Sequence, residues 1–196
     1  MIEIRHLQIE DCPAVAEAHL NYLTTSFRGK AGRQLLKIYY EVIARQRGGI
    51  GFVIVKDGNL AGYICGIWDR AAIKRLLMKK WFSLAFYGFL QSLQVPRAIP
   101  GFFTRLLHPR TTNILKMEGY ELRPIVVLPG YRGQGIADQL MQRLLNDAKR
   151  RGFKQVFLVV EIDNVAADKF YKKLGFVLER QIKMARNPVK LLTYCL

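Results

Sequence analysis

The residues best suited to chemistry lie in the second half of the chain. The segment Val127-Leu128-Pro129-Gly130-Tyr131-Arg132-Gly133-Gln134-Gly135-Ile136-Ala137 separates an apolar, β-branched run from a stretch with helical periodicity. A turn from strand into helix aims several backbone N–H groups and the positive end of the helix dipole at one point, which suits an anion. Gly133 and Gly135 let the backbone approach a ligand without interference from a Cβ, and Arg132 adds charge, so a pyrophosphate fits. A dinucleotide fingerprint would need a third glycine where Asp138 stands, and no Walker lysine follows. The plain alternative is a glycine-rich turn that binds nothing.

A second block lies downstream, Asn164-Val165-Ala166-Ala167-Asp168-Lys169-Phe170-Tyr171-Lys172-Lys173-Leu174-Gly175-Phe176. Arg132 to Ala137 resembles the R/Q-x-x-G-x-G/A acetyl-CoA signature of the Gcn5-related N-acetyltransferase (GNAT) superfamily, and Val127 to Pro129 its V-x-P lead-in. The downstream block resembles that superfamily's N-x-x-A-x-x-F-Y-x-K-x-G-F element. The two stand in the right order, joined by a predicted helix and strand. The match is strong over Leu122 to Ile182 and weak before it, and Arg70 to Arg110 departs from the minimal pattern.

Attack of a neutral amine on a thioester creates an oxyanion and releases a thiolate. Such a site needs an N–H donor, a route for the amine proton and an acid for sulfur. The resemblance implies that backbone groups of Ile125, Val126 and Val127, on a splayed fourth strand, meet the pantetheine arm and the carbonyl. It assigns the phosphates to Arg132, Gly133, Gln134, Gly135, Ile136 and Ala137, the coenzyme arm to Asn164 and protonation of the thiolate to Tyr171. For Tyr171 the alternative is a packing role beside Phe170. Pro124 has no N–H and marks a place where strand pairing is interrupted. Glu121 matches the catalytic glutamate of histone-acetylating members, with a solvent-facing Glu or a water-mediated proton route as the alternative. His6, His19 and His108 lie outside both blocks.

These residues need elements to hold them. Ile2, Ile4 and Leu7 predict a first strand, Asp11 a cap for a helix through about Tyr22, and Leu35 to Ile43 a helix following Gly32. Ile50 to Lys56, Asp57-Gly58-Asn59 and Leu60 to Trp68 predict a hairpin. Arg70 to Arg110 has no Asp or Glu and reads as one helix over about Ala71 to Leu93. A connection through Pro96 and Pro100 follows, then a helix near Phe102 to Leu107. Leu122 to Val127 is then a strand, Gln134 to Arg151 a helix and Lys154 to Val160 a strand. Ala166 to Leu174 is a helix, and Phe176 to Ile182 and Val189 to Tyr194 are final strands. The expected fold is α/β: a mixed, mostly antiparallel central sheet with a splayed fourth strand, flanking helices, and a helical insertion at about 70–118 between the third and fourth strands. Residues 1–196 form a single acyl-CoA N-acyltransferase domain in this reading.

The 31 Lys and Arg against 15 Asp and Glu give a net charge of +16, which favours anionic partners. Three scattered cysteines, Cys12, Cys65 and Cys195, suggest neither a disulfide framework nor a zinc site. A reducing cytoplasm fits, and Met1 to Arg5 has no leader pattern. The expected activity is transfer of an acetyl group from acetyl-CoA, as co-substrate and without metal, to a primary amine of an unidentified acceptor by direct attack in a ternary complex. A non-catalytic acyl-CoA-binding or regulatory module is the alternative, against which both Asn164 and Tyr171 argue. For the insertion the expectation is a cover over the acceptor side. A homodimer interface or an extra core layer is the alternative, and membrane-surface or nucleic-acid contact is the lesser one.

Overall fold

A computed structural model describes residues 2–23, 27–94, 119–183 and 188–196. Strands β1 (Ile2–His6), β2 (Gly49–Lys56), β3 (Asn59–Ile67), β4 (Tyr120–Val127), β5 (Gln155–Glu161), β6 (Val177–Ile182) and β7 (Val189–Cys195) form one sheet in the order β1-β2-β3-β4-β5-β7-β6. Every neighbouring pair is antiparallel except β4 and β5. A parallel pair needs a crossover, supplied by the predicted helix after the glycine turn, here α5 (Ile136–Arg150). The β2–β3 hairpin closes through Asp57 and Gly58, both at positive φ, as an Asp-Gly turn requires.

Side chains alternate across the strands, so the sheet has two apolar faces. Phe52, Ile54, Ile64 and Leu122 pack with Leu140 and Leu144 of α5. Val53, Tyr63 and Val126 point the other way, onto α1 (Cys12–Tyr22) and α2 (Gly29–Ala44), where they meet Val15, Leu36 and Tyr40. α6 (Val165–Lys173) follows β5 and joins the α5 face through Tyr171.

Three local expectations are corrected. Asp11 does not cap α1 with its side chain. Its carboxylate accepts from the Gln8 backbone N–H at 2.9 Å and from Arg5 at 2.6 and 2.9 Å, which pins the turn before the helix. Gly32 lies inside α2 and not before it. A Cβ there would come within 2.9 Å of the Phe27 Cβ and 2.7 Å of Gln91 Oε1, so the residue permits close packing and does not start the helix.

The helix expected over Ala71–Leu93 is two helices, α3 (Arg70–Met78) and α4 (Trp81–Gln94). The Lys80 N–H bonds back to the Leu77 carbonyl at 2.8 Å, and its ammonium reaches Glu41 at 2.6 Å. The break lets each piece turn its own apolar stripe to α2: Ile73, Leu77 and Leu84 pack on Leu35, Ile38 and Val42. α4 is therefore covered on one face, not several, and Phe82 is 72 % exposed. Pro96, Pro100 and the helix expected near Phe102 to Leu107 lie outside the described residues. No helix among the described residues is long and apolar enough to cross a membrane.

Candidate active site

β4 and β5 pair only at Tyr120↔Val156 and Glu121↔Phe157. Past Glu121 the two strands separate, while β5 stays paired with β7 over its whole length. On its other edge β4 remains against β3, with Ile64 opposite Ile125 and Gly66 opposite Leu122. Cys65 therefore faces both Arg123 and Pro124, a bulge at the residue that has no N–H to donate. The result is a wedge inside the sheet, one wall of which is the β5-facing edge of Ile125, Val126 and Val127.

The wedge ends at the glycine turn. Pro129–Tyr131 form one turn of 3₁₀ helix, and Gly133 and Gly135 take φ of 74° and 71°, a region open to glycine at no steric cost. A Cβ on either would meet nothing within 4 Å, so what glycine supplies there is backbone conformation and open approach. Ile136 and Ala137 begin α5 immediately after, with first-turn N–H groups that have no intrahelical acceptor.

Side chains brace the turn. Arg132 Nε donates to the Val127 carbonyl at 3.2 Å, Gln134 Nε2 to the Gly130 carbonyl at 3.1 Å and Lys56 Nζ to Gln134 Oε1 at 2.9 Å. Arg132 and Lys56 put positive charge beside the N–H groups. This arrangement can hold a pyrophosphate.

Asn164 is the N-cap of α6 and accepts from the Ala167 N–H at 3.1 Å, which leaves its exposed amide nitrogen as a donor. Tyr171, 7 % exposed, lies edge-on to Phe170 and Phe176 in the cluster against which Ile125 and Val127 pack. Its hydroxyl has no hydrogen-bond partner among the described residues, and burial pushes its pKa up to about 12. The phenol thus stays protonated at neutral pH, as an acid for a departing thiolate must.

Glu121 is buried and ion-paired. Arg70, the first residue of α3, donates to its Oε2 from Nε at 3.0 Å and from a terminal nitrogen at 2.7 Å, and Arg123 approaches the same oxygen at 3.1 Å. Neither arginine belongs to a motif, so sequence reasoning passed over both. The available signal was period: residues 121 and 123 of a strand share a face.

On the α1–α2 face a polar chain runs through the core. His19 Nδ1 lies 2.7 Å from the Tyr40 hydroxyl, which lies 3.0 Å from that of Tyr63. Burial lowers the His19 pKa to about 4 and raises those of both tyrosines.

Comparison with known proteins agrees with this fold. The model of the acetyltransferase (GNAT) family matches residues 13–176. An uncharacterized N-acetyltransferase of Methanocaldococcus jannaschii is 40 % identical over 72 residues, 37 % of this chain and 32 % of that protein. N-alpha-acetyltransferase 30 of Schizosaccharomyces pombe is 43 % identical over 60 residues, 31 % of this chain and 39 % of that protein. The matched stretches thus span only 32 % and 39 % of the length of these two curated relatives. The crystal structure of Arabidopsis thaliana NAA60 in complex with acetyl-CoA has the same fold, with a TM-score of 0.64 at 15 % identity over 100 % of this chain and 99 % of that one.

Proposed function

The chain belongs to the acetyltransferase (GNAT) family, and from that premise we propose that it is an N-acetyltransferase that moves an acetyl group from acetyl-CoA to a primary amine. The observation that carries the reading is the separation of β4 from β5 beyond Glu121, with the glycine turn at the end of β4 and Tyr171 in the cluster behind it. The turn Arg132 to Ala137 holds the coenzyme phosphates. The unpaired backbone edge of Ile125 to Val127 receives the pantetheine arm and the thioester oxygen, and Asn164 supports the arm.

Transfer is direct. The amine nitrogen bonds to the acetyl carbon, an N–H of β4 steadies the oxyanion, and the carbon–sulfur bond breaks as the carbonyl reforms. Tyr171 gives its proton to the sulfur and recovers one from the amine by way of solvent. Glu121 serves as a positioning residue. Its Oε2 is already committed to Arg70 and Arg123, so it holds those guanidinium groups at the closed end of the wedge and does not take the amine proton.

The chain acts as one domain of 1–196, in which α3 and α4 extend the acceptor side through Arg70. Three cysteines, all free, fit a reducing cytoplasm. The test is an acceptor screen with acetyl-CoA, read by release of free thiol and by mass of the acetylated product. The added mass of one acetyl group on an amine is the expected result. Tight coenzyme binding with no acceptor turned over across amino acids, peptides, polyamines and amino sugars would favour a non-catalytic binding module.

A further inference from the structure

The closed end of the wedge carries more positive charge than its acidic partner neutralises. Arg70 and Arg123 share a single carboxylate, with both ion pairs made to the same oxygen of Glu121. Arg123 Nε is buried and has no hydrogen-bond partner among the described residues, while 39 % of the side chain stays exposed. Tyr39 of α2 stands close enough to feel both arginines, and burial pushes its phenol up to about 12 against the pull of Arg123. It stays a neutral hydroxyl and adds no negative charge. The corner is rich in positive charge and short of negative charge.

Its place in the fold gives this imbalance a direction. Tyr120 and Leu122 face α5, so Glu121 and Arg123 project from the opposite side of the sheet, where Arg70 also lies over the Phe157 ring at 5.9 Å. The glycine turn and Tyr171 serve the α5 side. The second reactant therefore enters from the arginine side, beside the last paired residue of β4.

We propose that Arg123, with Arg70 beside it, binds an anionic group on the amine acceptor, a carboxylate or a phosphate, so that this enzyme acetylates negatively charged amines in preference to neutral or cationic ones. The inference rests on the acetyltransferase reading above. A guanidinium fork matches either oxyanion in a two-bond geometry, and an acceptor lacking the anion leaves Arg123 unmatched in the site. Sites built on such pairing reject the analogue that lacks the group far more strongly than apolar pockets reject a missing methylene.

Two measurements test it. Succinate and inorganic phosphate, each at constant ionic strength, are titrated by calorimetry into the protein saturated with coenzyme A, which keeps phosphate off the glycine turn. Saturable binding of at least one is expected. It should weaken tenfold or more in Arg123→Gln, fall less in Arg123→Lys, and be unchanged in Lys149→Gln on the exposed end of α5. Which of the two anions binds separates carboxylate from phosphate.

In the second measurement, thiol release from acetyl-CoA is compared for matched acceptors, a dipeptide against its C-terminal amide and phosphoethanolamine against ethanolamine. The charged member should be preferred, and Arg123→Gln should erase the preference by raising KM with kcat nearly unchanged. Equal use of charged and neutral partners, or an anion isotherm that Arg123→Gln leaves unaltered, overturns the proposal. Failure of the acetyltransferase reading looks different: no coenzyme binding and no thiol release, with the succinate titration compared between wild type and Arg123→Gln still reporting on Arg123.

Discussion

Arg70 reaches Glu121 across 51 positions of sequence and donates to one oxygen of it twice, at 3.0 and 2.7 Å. That pair ties the first turn of α3 to the last residue of β4 that still pairs with β5. If Glu121 positions guanidinium groups, then Glu121→Gln and Arg70→Gln should act alike, raising the acceptor KM by roughly 10- to 100-fold, the scale of a hydrogen bond to a charged group. A base would behave differently. Glu121→Gln alone would then lower kcat and remove the acid limb of its pH profile, so steady-state kinetics of both variants across pH separates the roles.

Tyr171→Phe keeps the ring between Phe170 and Phe176 and removes the transferable proton. Turnover should fall by about 10²- to 10⁴-fold with coenzyme affinity unchanged. Because burial raises the phenol to about 12, the wild-type acid stays loaded through neutral and mildly alkaline pH. The rate should therefore show no decline from loss of this proton below a pH of roughly 10, the unperturbed tyrosine value. A pH–rate profile checks both statements.

Gly135→Val should abolish coenzyme binding. At φ of 71° a β-branched residue is strained by about 1–3 kcal/mol, although its Cβ meets nothing within 4 Å. The fold should survive at that cost, since the strain is confined to an exposed turn. Calorimetry with acetyl-CoA and a thermal melt of the same sample measure the two effects, and undiminished coenzyme affinity would refute the assignment of the phosphates to this turn.

The parts of the site held by local chemistry were legible in the sequence. A glycine turn between strand and helix and a proline that interrupts β4 both act within a few residues of themselves, whereas the capping of α6 by Asn164 went unread. The arginine pair was not legible, because Arg70 and Arg123 acquire meaning only when α3 folds over the sheet. The break between α3 and α4 was hidden for a related reason. Lys79 and Lys80 are good helix formers, and nothing local stops a helix there. Packing of two apolar stripes on α2, with the Lys80–Glu41 pair, overrides that preference. Gly32 misled in the opposite sense, since its purpose is contact with Phe27 and Gln91, remote from it in the helix register.

The His19–Tyr40–Tyr63 chain predicts an acid response. Burial depresses His19 from 6.5 to about 4, so the folded state favours the neutral imidazole. Its contribution to stability is present above the unfolded pKa near 6.5 and is lost as pH falls through about 4. Thermal midpoints should therefore drop between those limits in the wild type and drop less in His19→Leu, whose lower starting stability reflects the lost His19–Tyr40 hydrogen bond. Parallel slopes for the two proteins would show that His19 carries no part of the acid response.

The two register pairs shared by β4 and β5 make the sheet, mechanically, a pair of plates. β1 to β4 form one, and β5, β7 and β6 the other, with Tyr120 and Glu121 as the line about which they turn. Tyr120 is fixed to α5 by its hydroxyl on Asp147 at 3.1 Å, so that line is anchored from beneath. The gap between Val127 and β5 opens away from that line, while α5 and a single buried cluster span both plates. Arg70 lies across the same line as a clasp.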